Sequence, residues 1–341
     1  MPNLASEQFS RDFEIASARA LEQAGERAHH LRVAGQGIRL RFAGSSLESA
    51  ILPGLGHLLV SDIESPDLTV TLWDSASTGI SLPSLPWNPP EGEAWKLETG
   101  EIFCYYSPQR MSLTWFLRQE KRAFFWVPDL ASALAEESFS PLMYLWSWWF
   151  ARQSVQLTHA AAIGGKKGAA LLVGPSGAGK STTSLLTLSA DRLRYLADDY
   201  CLVRASPTPT VYSLFATAKV LLPDRPRHPL LAQAYRRANT EKALYVVYPH
   251  FADHFAFEMP LHAIIAPKIT GQAHTNLEKV SAINILRVLA PSTLLQLLAG
   301  TDPAHALRLL TSVARQVDCY QLNLGTDFDR IPAVLADLLD G

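Results

Sequence analysis

Residue types that mark particular protein classes are scarce or poorly placed in this chain of 341 residues. It has three cysteines, Cys104, Cys201 and Cys319, and no two of them have the spacing of a zinc or redox motif. An odd number of widely separated cysteines also argues against a disulfide framework. We therefore expect a cytoplasmic protein whose thiols are reduced.

Long apolar runs and a surplus of one charge are also missing. The most apolar stretch, residues 141–151 (PLMYLWSWWFA), is much shorter than the ~20 residues that a helix needs to cross a bilayer. The N-terminal residues are acidic early and have no apolar core, so they do not predict a secretory signal. Because 30 Lys and Arg residues balance 32 Asp and Glu residues, we expect no nucleic acid partner and no membrane span.

Apolar residues make up 48% of the chain, which is enough to bury a large core. The length predicts about two domains, and we place the first at residues 1–153. Its short alternating stretches indicate strands, and its end is helical. The predicted segments are strands at 38–44 and 67–75, a helix within 45–59 broken at Pro53, a loop at 81–93, an antiparallel meander at 100–128 and helices at 129–153. This pattern predicts an N-terminal α+β domain, whose strand edges suit it to docking a substrate or partner.

The second predicted domain covers residues 154–341, where strands and helices alternate. The run VQLTHAAAI (155–163) predicts a strand that forms a hairpin with the apolar strand AALLVG (169–174). A Gly-rich loop and a helix at 179–190 follow. Further strands are predicted at 194–199, 201–205, 210–216 and 262–269, and helices at 282–314.

The strongest chemical signal is GPSGAGKST, residues 174–182, which matches the phosphate-loop pattern G-x-x-x-x-G-K-[ST] between a strand and a helix. Such a loop points main-chain N–H groups at phosphates, and the start of the helix adds partial positive charge. Lys180 is expected to contact the β- and γ-phosphates, and Ser181 to bind Mg²⁺. The predicted nucleotide-binding residues are Gly174, Ser176, Gly177, Ala178, Gly179, Lys180, Ser181 and Thr182.

Two carboxylates, Asp198 and Asp199, end the strand LRYLA eighteen residues after Lys180. One helix and one turn fill this gap, so we expect the two strands to be neighbours and the aspartates to lie beside the phosphate site. One carboxylate can hold Mg²⁺, and the other can accept the proton of an attacking hydroxyl. From the residues alone, which of the two aspartates takes which role stays open.

Other polar residues complete the predicted site. His159 is placed by the hairpin near the phosphate loop and is a candidate catalytic residue. Lys219 and Lys242 stand in apolar surroundings, and a compact cation there suits a substrate phosphate or carboxylate. The basic run DRPRHP (224–229) is best interpreted as a solvated loop, with the lining of an acidic substrate path as the alternative.

These motifs together resemble the catalytic domain of the HPr serine kinase/phosphorylase family. The matching pieces are Thr158-His159-Ala160, GPSGAGKST and LADDYCLV, in that order. The resemblance implies a mixed-sheet fold similar to phosphoenolpyruvate carboxykinase, and an enzyme that uses ATP and Mg²⁺ to phosphorylate a serine hydroxyl. It also implies catalytic roles for His159, Lys180, Asp198 and Asp199. On this resemblance we assign Asp198 as the base and Asp199, together with Ser181, as the metal ligand. The whole chain looks more like divergent bacterial serine kinases of this type than like the bifunctional enzymes.

We therefore expect a kinase acting on a hydroxyl of a protein, peptide or small molecule. Two alternatives stay open. One is a small-molecule P-loop kinase, for which an all-parallel central sheet is expected. The other is a catalytically silent nucleotide-binding scaffold in a biosynthetic complex. The sequence does not decide whether the chain forms a homo-oligomer.

Overall fold

The computed structural model describes residues 4–85, 87, 95–98, 101–107, 111–134, 139–151, 153–238, 241–294 and 302–341. The chain divides into two compact units, residues 1–149 and 150–341. The division falls four residues before the boundary expected from the sequence.

The first unit is built on one mixed sheet of eight strands in the order β3-β1-β2-β4-β8-β7-β6-β5. Its elements are α1 (Leu4–Ala24), β1 (Glu26–Val33), β2 (Gln36–Ala43), α2 (Ser46–Leu55), β3 (Leu59–Val60), β4 (Leu68–Asp74), α3 (Ser75–Thr78), β5 (Trp95–Glu98), β6 (Ile102–Ser107), β7 (Ser112–Leu117), β8 (Arg122–Val127), α4 (Leu130–Leu134) and α5 (Met143–Ala151), the last of which runs across the division. Strand β4 pairs in parallel with β2 and β8, and β5 to β8 form the predicted antiparallel meander. Helix α1 packs Phe9 and Phe13 into an aromatic core beside Trp73 and Trp115.

Three predictions for this unit need correction or comment. Helix α2 continues through Pro53 to Leu55 instead of breaking there. Helix α1 was not predicted at all. The predicted loop at 81–93 lies mostly outside the described residues, as does part of the predicted helical segment 129–153, which contains two separate helices.

The second unit carries a nine-stranded mixed sheet, a separate three-stranded sheet and four helices within the described ranges. Its elements are β9 (Val155–Thr158), β10 (Ala161–Gly165), β11 (Gly168–Leu172), α6 (Lys180–Leu186), β12 (Arg194–Ala197), β13 (Cys201–Arg204), β14 (Thr210–Ser213), β15 (Thr217–Leu221), β16 (Tyr235–Ala238), β17 (Lys242–Val246), β18 (Glu258–Ile269), β19 (Asn276–Lys279), α7 (Ala282–Leu294), α8 (Pro303–Gln316), β20 (Asp318–Leu324) and α9 (Ile331–Asp340). The large sheet runs β12-β10-β11-β18-β14-β13-β9, with β20 on β18 and β19 on β20. The small sheet has the order β15-β17-β16.

Strand direction brings several loops to one edge of the large sheet. Strands β11, β18 and β20 are parallel, so their carboxyl ends share an edge. Strand β10 is antiparallel to β11 and also to β12, so β12 ends at this edge and β10 begins there. The phosphate loop after β11, the aspartates after β12 and His159 before β10 therefore come together, although they are distant in sequence.

The structure corrects two predictions about these strands. The run VQLTHAAAI is not one strand, because it breaks at His159 and Ala160: β9 pairs with β13, whereas β10 forms the predicted hairpin with β11. The aspartate strand β12 is not the neighbour of the phosphate-loop strand β11, because β10 lies between them. The intervening strand does not separate the loops, since all the relevant strand ends lie on the same edge.

Buried apolar side chains cover both faces of the large sheet. One face packs against α7 and α8 through Ile285, Leu289 and Leu310, and the other against α9 through Ile331 and Leu335. Burial on both faces explains why β11 is an unbroken apolar run. Of the helices in the described ranges, none combines the length and the apolar character that crossing a bilayer requires.

Candidate active site

The phosphate loop leads directly into helix α6, which begins at Lys180. Gly179, the residue before it, has a φ of 102°, a left-handed conformation that favours glycine. The Lys180 side chain is 7% exposed, and its ammonium donates hydrogen bonds to the main-chain oxygens of Gly174 at 2.7 Å and Pro175 at 3.2 Å. Burial lowers the pKa of Lys180, while the two nearby aspartates counteract that effect. The ammonium is therefore held within its own loop, at the start of the helix.

Asp198 is buried and is 2% exposed. Its Oδ2 accepts a hydrogen bond from the main-chain N–H of Lys219 at 2.9 Å, and its Oδ1 lies 3.3 Å from Ser184 Oγ, which donates to it. The nearby Ser181 hydroxyl favours the ionised form of this carboxyl and so lowers the pKa of Asp198. Burial, together with the charge of Asp199, raises the pKa of Asp198 to about 6.

Asp199 points the other way and is held from two sides. Its Oδ1 lies 3.0 Å from Nε2 of His159, and its Oδ2 accepts a hydrogen bond from the Lys219 ammonium at 2.6 Å. Burial opposes ionisation, but the Lys219 charge and the His159 hydrogen bond outweigh it and hold the pKa of Asp199 below its usual range. The side chain keeps 29% of its surface exposed. Asp199 is thus an ionised carboxylate that solvent or a ligand can reach.

His159 is positioned by the break between β9 and β10. Its main-chain N–H donates to Thr293 Oγ1 at 3.3 Å, and its ring lies 5.2 Å from the ring of Tyr200. The residue is 6% exposed. The imidazole is therefore fixed by packing, with Nε2 directed at Asp199.

These groups surround a cavity of about 650 Å³. The phosphate loop and α6 form one wall, the three-stranded sheet and the 3₁₀ helix Leu222–Arg227 form another, and the ends of β18 and β20 contribute apolar residues. The lining residues are His159, Ser176, Gly177, Gly179, Lys180, Ser181, Thr182, Leu185, Asp199, Tyr200, Lys219, Val220, Leu221, Asp224, Arg227, His228, Lys242, Ile269, Leu324, Gly325, Phe328 and Ile331. A cavity of this volume lies within the range of small-molecule sites.

Most of the sequence-predicted residues lie at this cavity. Lys219 and Lys242 line it from β15 and β17, which are neighbouring antiparallel strands of the small sheet. Gly174 and Ala178 are in the loop but do not line the cavity, and Asp198 lies behind it.

Sequence reasoning missed several lining residues. Asp224, Arg227 and His228 belong to the basic run interpreted above as a solvated loop. Arg227 is exposed, as that interpretation predicts, but all three residues line the cavity. The basic composition of this run was a usable signal, because it suggested the lining of an acidic substrate path as the alternative interpretation. Tyr200 directly follows the aspartate pair. Phe328 follows β20 without any motif, so no sequence signal distinguishes it.

The oxygen donors present fit a magnesium ion. Ser181 and Asp199 line the same cavity, and Asp198 lies close to the Ser181 hydroxyl. Mg²⁺ prefers hard oxygen ligands and is commonly held by one or two carboxylates together with substrate phosphates. Within the ranges that the structure describes, no three His, Cys, Asp or Glu side chains cluster as a metal site.

Comparison with known proteins finds structural likenesses but no sequence family. No protein-family model matches the chain, and no curated protein does. A solved structure described as the Hpr(Ser) kinase/phosphatase from Coxiella burnetii is similar over 54% of this chain and 94% of its own, with 12% sequence identity and a TM-score of 0.29. Because that TM-score is low, the functional proposal rests on the geometry of this chain's own residues.

Proposed function

We propose that the chain is an ATP- and Mg²⁺-dependent kinase that transfers the γ-phosphate to a serine-type hydroxyl on a protein or peptide. The observation that carries this proposal is the shared cavity. Lys180 and Ser181 of the phosphate loop face the same space as Asp199, which His159 and Lys219 hold in an ionised state. Phosphoryl transfer needs this combination of phosphate binding, charge compensation and a carboxylate for the acceptor.

Each residue has a role in this reaction. Phosphate oxygens replace the Gly174 and Pro175 carbonyls as partners of the Lys180 ammonium. Asp199 accepts a hydrogen bond from the acceptor hydroxyl and takes its proton as the oxygen attacks. A bond forms between that oxygen and the γ-phosphorus, the bond from phosphorus to the bridging oxygen breaks, and ADP and a phosphoester leave. Lys219 and His159 keep Asp199 ionised and oriented.

This assignment reverses the one made from the sequence, where Asp198 was the base. A base must reach the acceptor, and Asp199 lines the cavity whereas Asp198 is 2% exposed. Asp198 lies close to the Ser181 hydroxyl and is better suited to hold a metal together with it. When bound there, Mg²⁺ supplies charge compensation for the β- and γ-phosphate oxygens.

Strand direction weighs against the small-molecule P-loop kinase. An all-parallel central sheet was expected for it, but the sheet here is mixed, with β10 antiparallel to both β11 and β12. The acceptor class is open to direct test.

The experiment is transfer of labelled γ-phosphate from ATP to serine-containing peptides, HPr-like proteins and free serine. We expect transfer to a protein or peptide, and its loss in Asp199→Asn but not in Asp253→Asn, which changes an exposed aspartate away from the cavity. Undiminished transfer by Asp199→Asn would refute the proposed role of this carboxylate. Transfer to free serine alone would favour a small-molecule kinase, and nucleotide binding without any transfer would favour the silent scaffold.

A further inference from the structure

The cavity has an apolar end that the transfer chemistry does not use. Along the sheet, β12 with its aspartates lies on one side of the phosphate-loop strand β11, and β18 and β20 lie on the other. Ile269 ends β18 and Leu324 ends β20, and both line the cavity. The phosphate loop therefore stands between a carboxylate end and an apolar end.

Two side chains at the apolar end are unusually exposed for their type. Ile269 is 65% exposed and Phe328 is 38% exposed, and both line the cavity rather than a convex surface. Exposed apolar side chains are common when scattered, but grouped in a concave site they indicate a ligand with an apolar face. Ile331 adds a buried aliphatic wall beside them.

A guanidinium completes this end of the cavity. Arg227 Cζ lies 5.3 Å from the centroid of the Phe328 ring, although the two residues come from different segments of the unit. Arg227 Nη1 donates to Asp224 Oδ1 at 2.6 Å, which orients its plane. An aromatic ring and an oriented guanidinium are the two side-chain surfaces on which nucleobases stack.

We propose that Phe328 and Arg227 form the base-binding part of this cavity and hold a purine by stacking. This inference rests on the proposed function, because it takes the ligand to be a nucleoside triphosphate. With the terminal phosphate beside Asp199 and the triphosphate on the phosphate loop, the nucleoside lies toward β18 and β20, where the apolar residues are. A purine offers the large flat face that this wall can cover.

The test compares two ligands of the full chain by titration calorimetry: Mg-ATP, which has a base, and Mg-tripolyphosphate, which has none. We expect ATP to bind more tightly than tripolyphosphate to the native chain. Because stacking on an aromatic ring stabilises a bound base, Phe328→Ala is expected to weaken ATP binding by about tenfold and to leave tripolyphosphate binding unchanged. Arg227→Met is expected to act in the same direction, and Phe328→Trp to retain ATP affinity.

The chain offers a matched control pair. Arg225 Cζ lies 4.8 Å from the ring of Tyr235, which is 42% exposed, and neither residue lines the cavity. Tyr235→Ala should therefore bind both ligands as the native chain does.

The outcomes separate the two proposals. If tripolyphosphate binds as tightly as ATP, or if Phe328→Ala and Arg227→Met leave the ratio of the two affinities unchanged, the base site is refuted while the phosphate site stands. If the native chain binds neither ligand, the proposed kinase function fails as well. Should Phe328→Ala fail to fold, Arg227→Met and Phe328→Trp still decide the question.

Discussion

At the scale of single residues, Lys219 connects the two aspartates. Its main-chain N–H donates to Asp198 at 2.9 Å and its ammonium to Asp199 at 2.6 Å. Only the second contact depends on the side chain, so substitution can remove it while the first remains. A substitution of Lys219 therefore removes the cation that orients Asp199 and keeps it ionised, and leaves the main-chain contact to Asp198 in place.

We predict that Lys219→Met lowers kcat by about tenfold to a hundredfold, because a hydrogen bond between charged groups contributes about 1.5–3 kcal/mol. Removing the cation also raises the pKa of Asp199, which must be ionised to accept the proton. Activity should therefore fall more at pH 5 than at pH 8. The check is a pH–rate profile beside that of Lys268→Met, which changes an exposed lysine outside the cavity lining. An acid limb that does not move would contradict the role.

Asp198 gives a second prediction, on stability. Its pKa in the folded chain, about 6, is above the usual value of 3.8, so the fold disfavours its ionised form. This contribution to stability is present below pH 4 and is lost as the pH rises through 6. Asp198→Asn cannot ionise. Its free energy of unfolding, relative to the native chain, should rise by about 2 kcal/mol between pH 4.5 and pH 8 in the absence of ligand.

Urea unfolding at the two pH values measures this difference. Each protein is measured at both pH values, so effects of the substitution that do not depend on pH cancel from the difference. A relative stability that is constant with pH would mean that Asp198 is already ionised without penalty, and that its burial has no electrostatic consequence.

At the scale of elements, the junction between the phosphate loop and α6 depends on glycine for two reasons. Gly177 and Gly179 both have positive φ, 81° and 102°. A Cβ at Gly177 would meet nothing within 4 Å, whereas one at Gly179 would lie 2.4 Å from Leu324 Cδ1. A side chain at either position would therefore meet the strain of a positive φ, but only at position 179 would it also lack room.

We predict that Gly177→Ala lowers the free energy of unfolding by about 1–2 kcal/mol, the penalty of a left-handed alanine. Gly179→Ala should lower it further, because the Leu324 side chain must also move. Denaturant unfolding of both variants checks the order. Equal losses would show that Leu324 moves aside freely.

Elements whose signals are local were predictable from the sequence. The strand, loop and helix around Lys180 follow from one contiguous motif and an apolar run, and the meander of β6 to β8 follows from alternation. The break at His159 was not visible, because an apolar run looks the same whether it contains one strand or two. The pairing of β15 with β17 joins segments about 25 residues apart. The sequence therefore predicted Lys219 and Lys242 as separate candidates but not the sheet that carries both.

At the scale of the whole molecule, the two units differ in a way that spectroscopy can use. All eight tryptophans belong to residues 1–149, whereas every residue that lines the cavity belongs to residues 150–341. The tryptophans are Trp73, Trp87, Trp95, Trp115, Trp126, Trp146, Trp148 and Trp149. Tryptophan fluorescence therefore reports on the unit that lacks the cavity.

We predict that saturating Mg-ATP raises the calorimetric transition of the unit that contains the cavity by about 5 °C or more, as expected for a ligand well above its Kd. Tryptophan fluorescence recorded in parallel follows the first unit. Lys180→Met should abolish the calorimetric shift. A calorimetric transition of the native chain that does not move with Mg-ATP would contradict the nucleotide site.

The most direct measurement is a crystal structure of the full chain with Mg²⁺ and a non-hydrolysable ATP analogue. Our account predicts the γ-phosphate within hydrogen-bonding distance of the Lys180 ammonium and facing Asp199, with the base at Phe328. A nucleotide bound outside this cavity, or one whose terminal phosphate points away from Asp199, would contradict it.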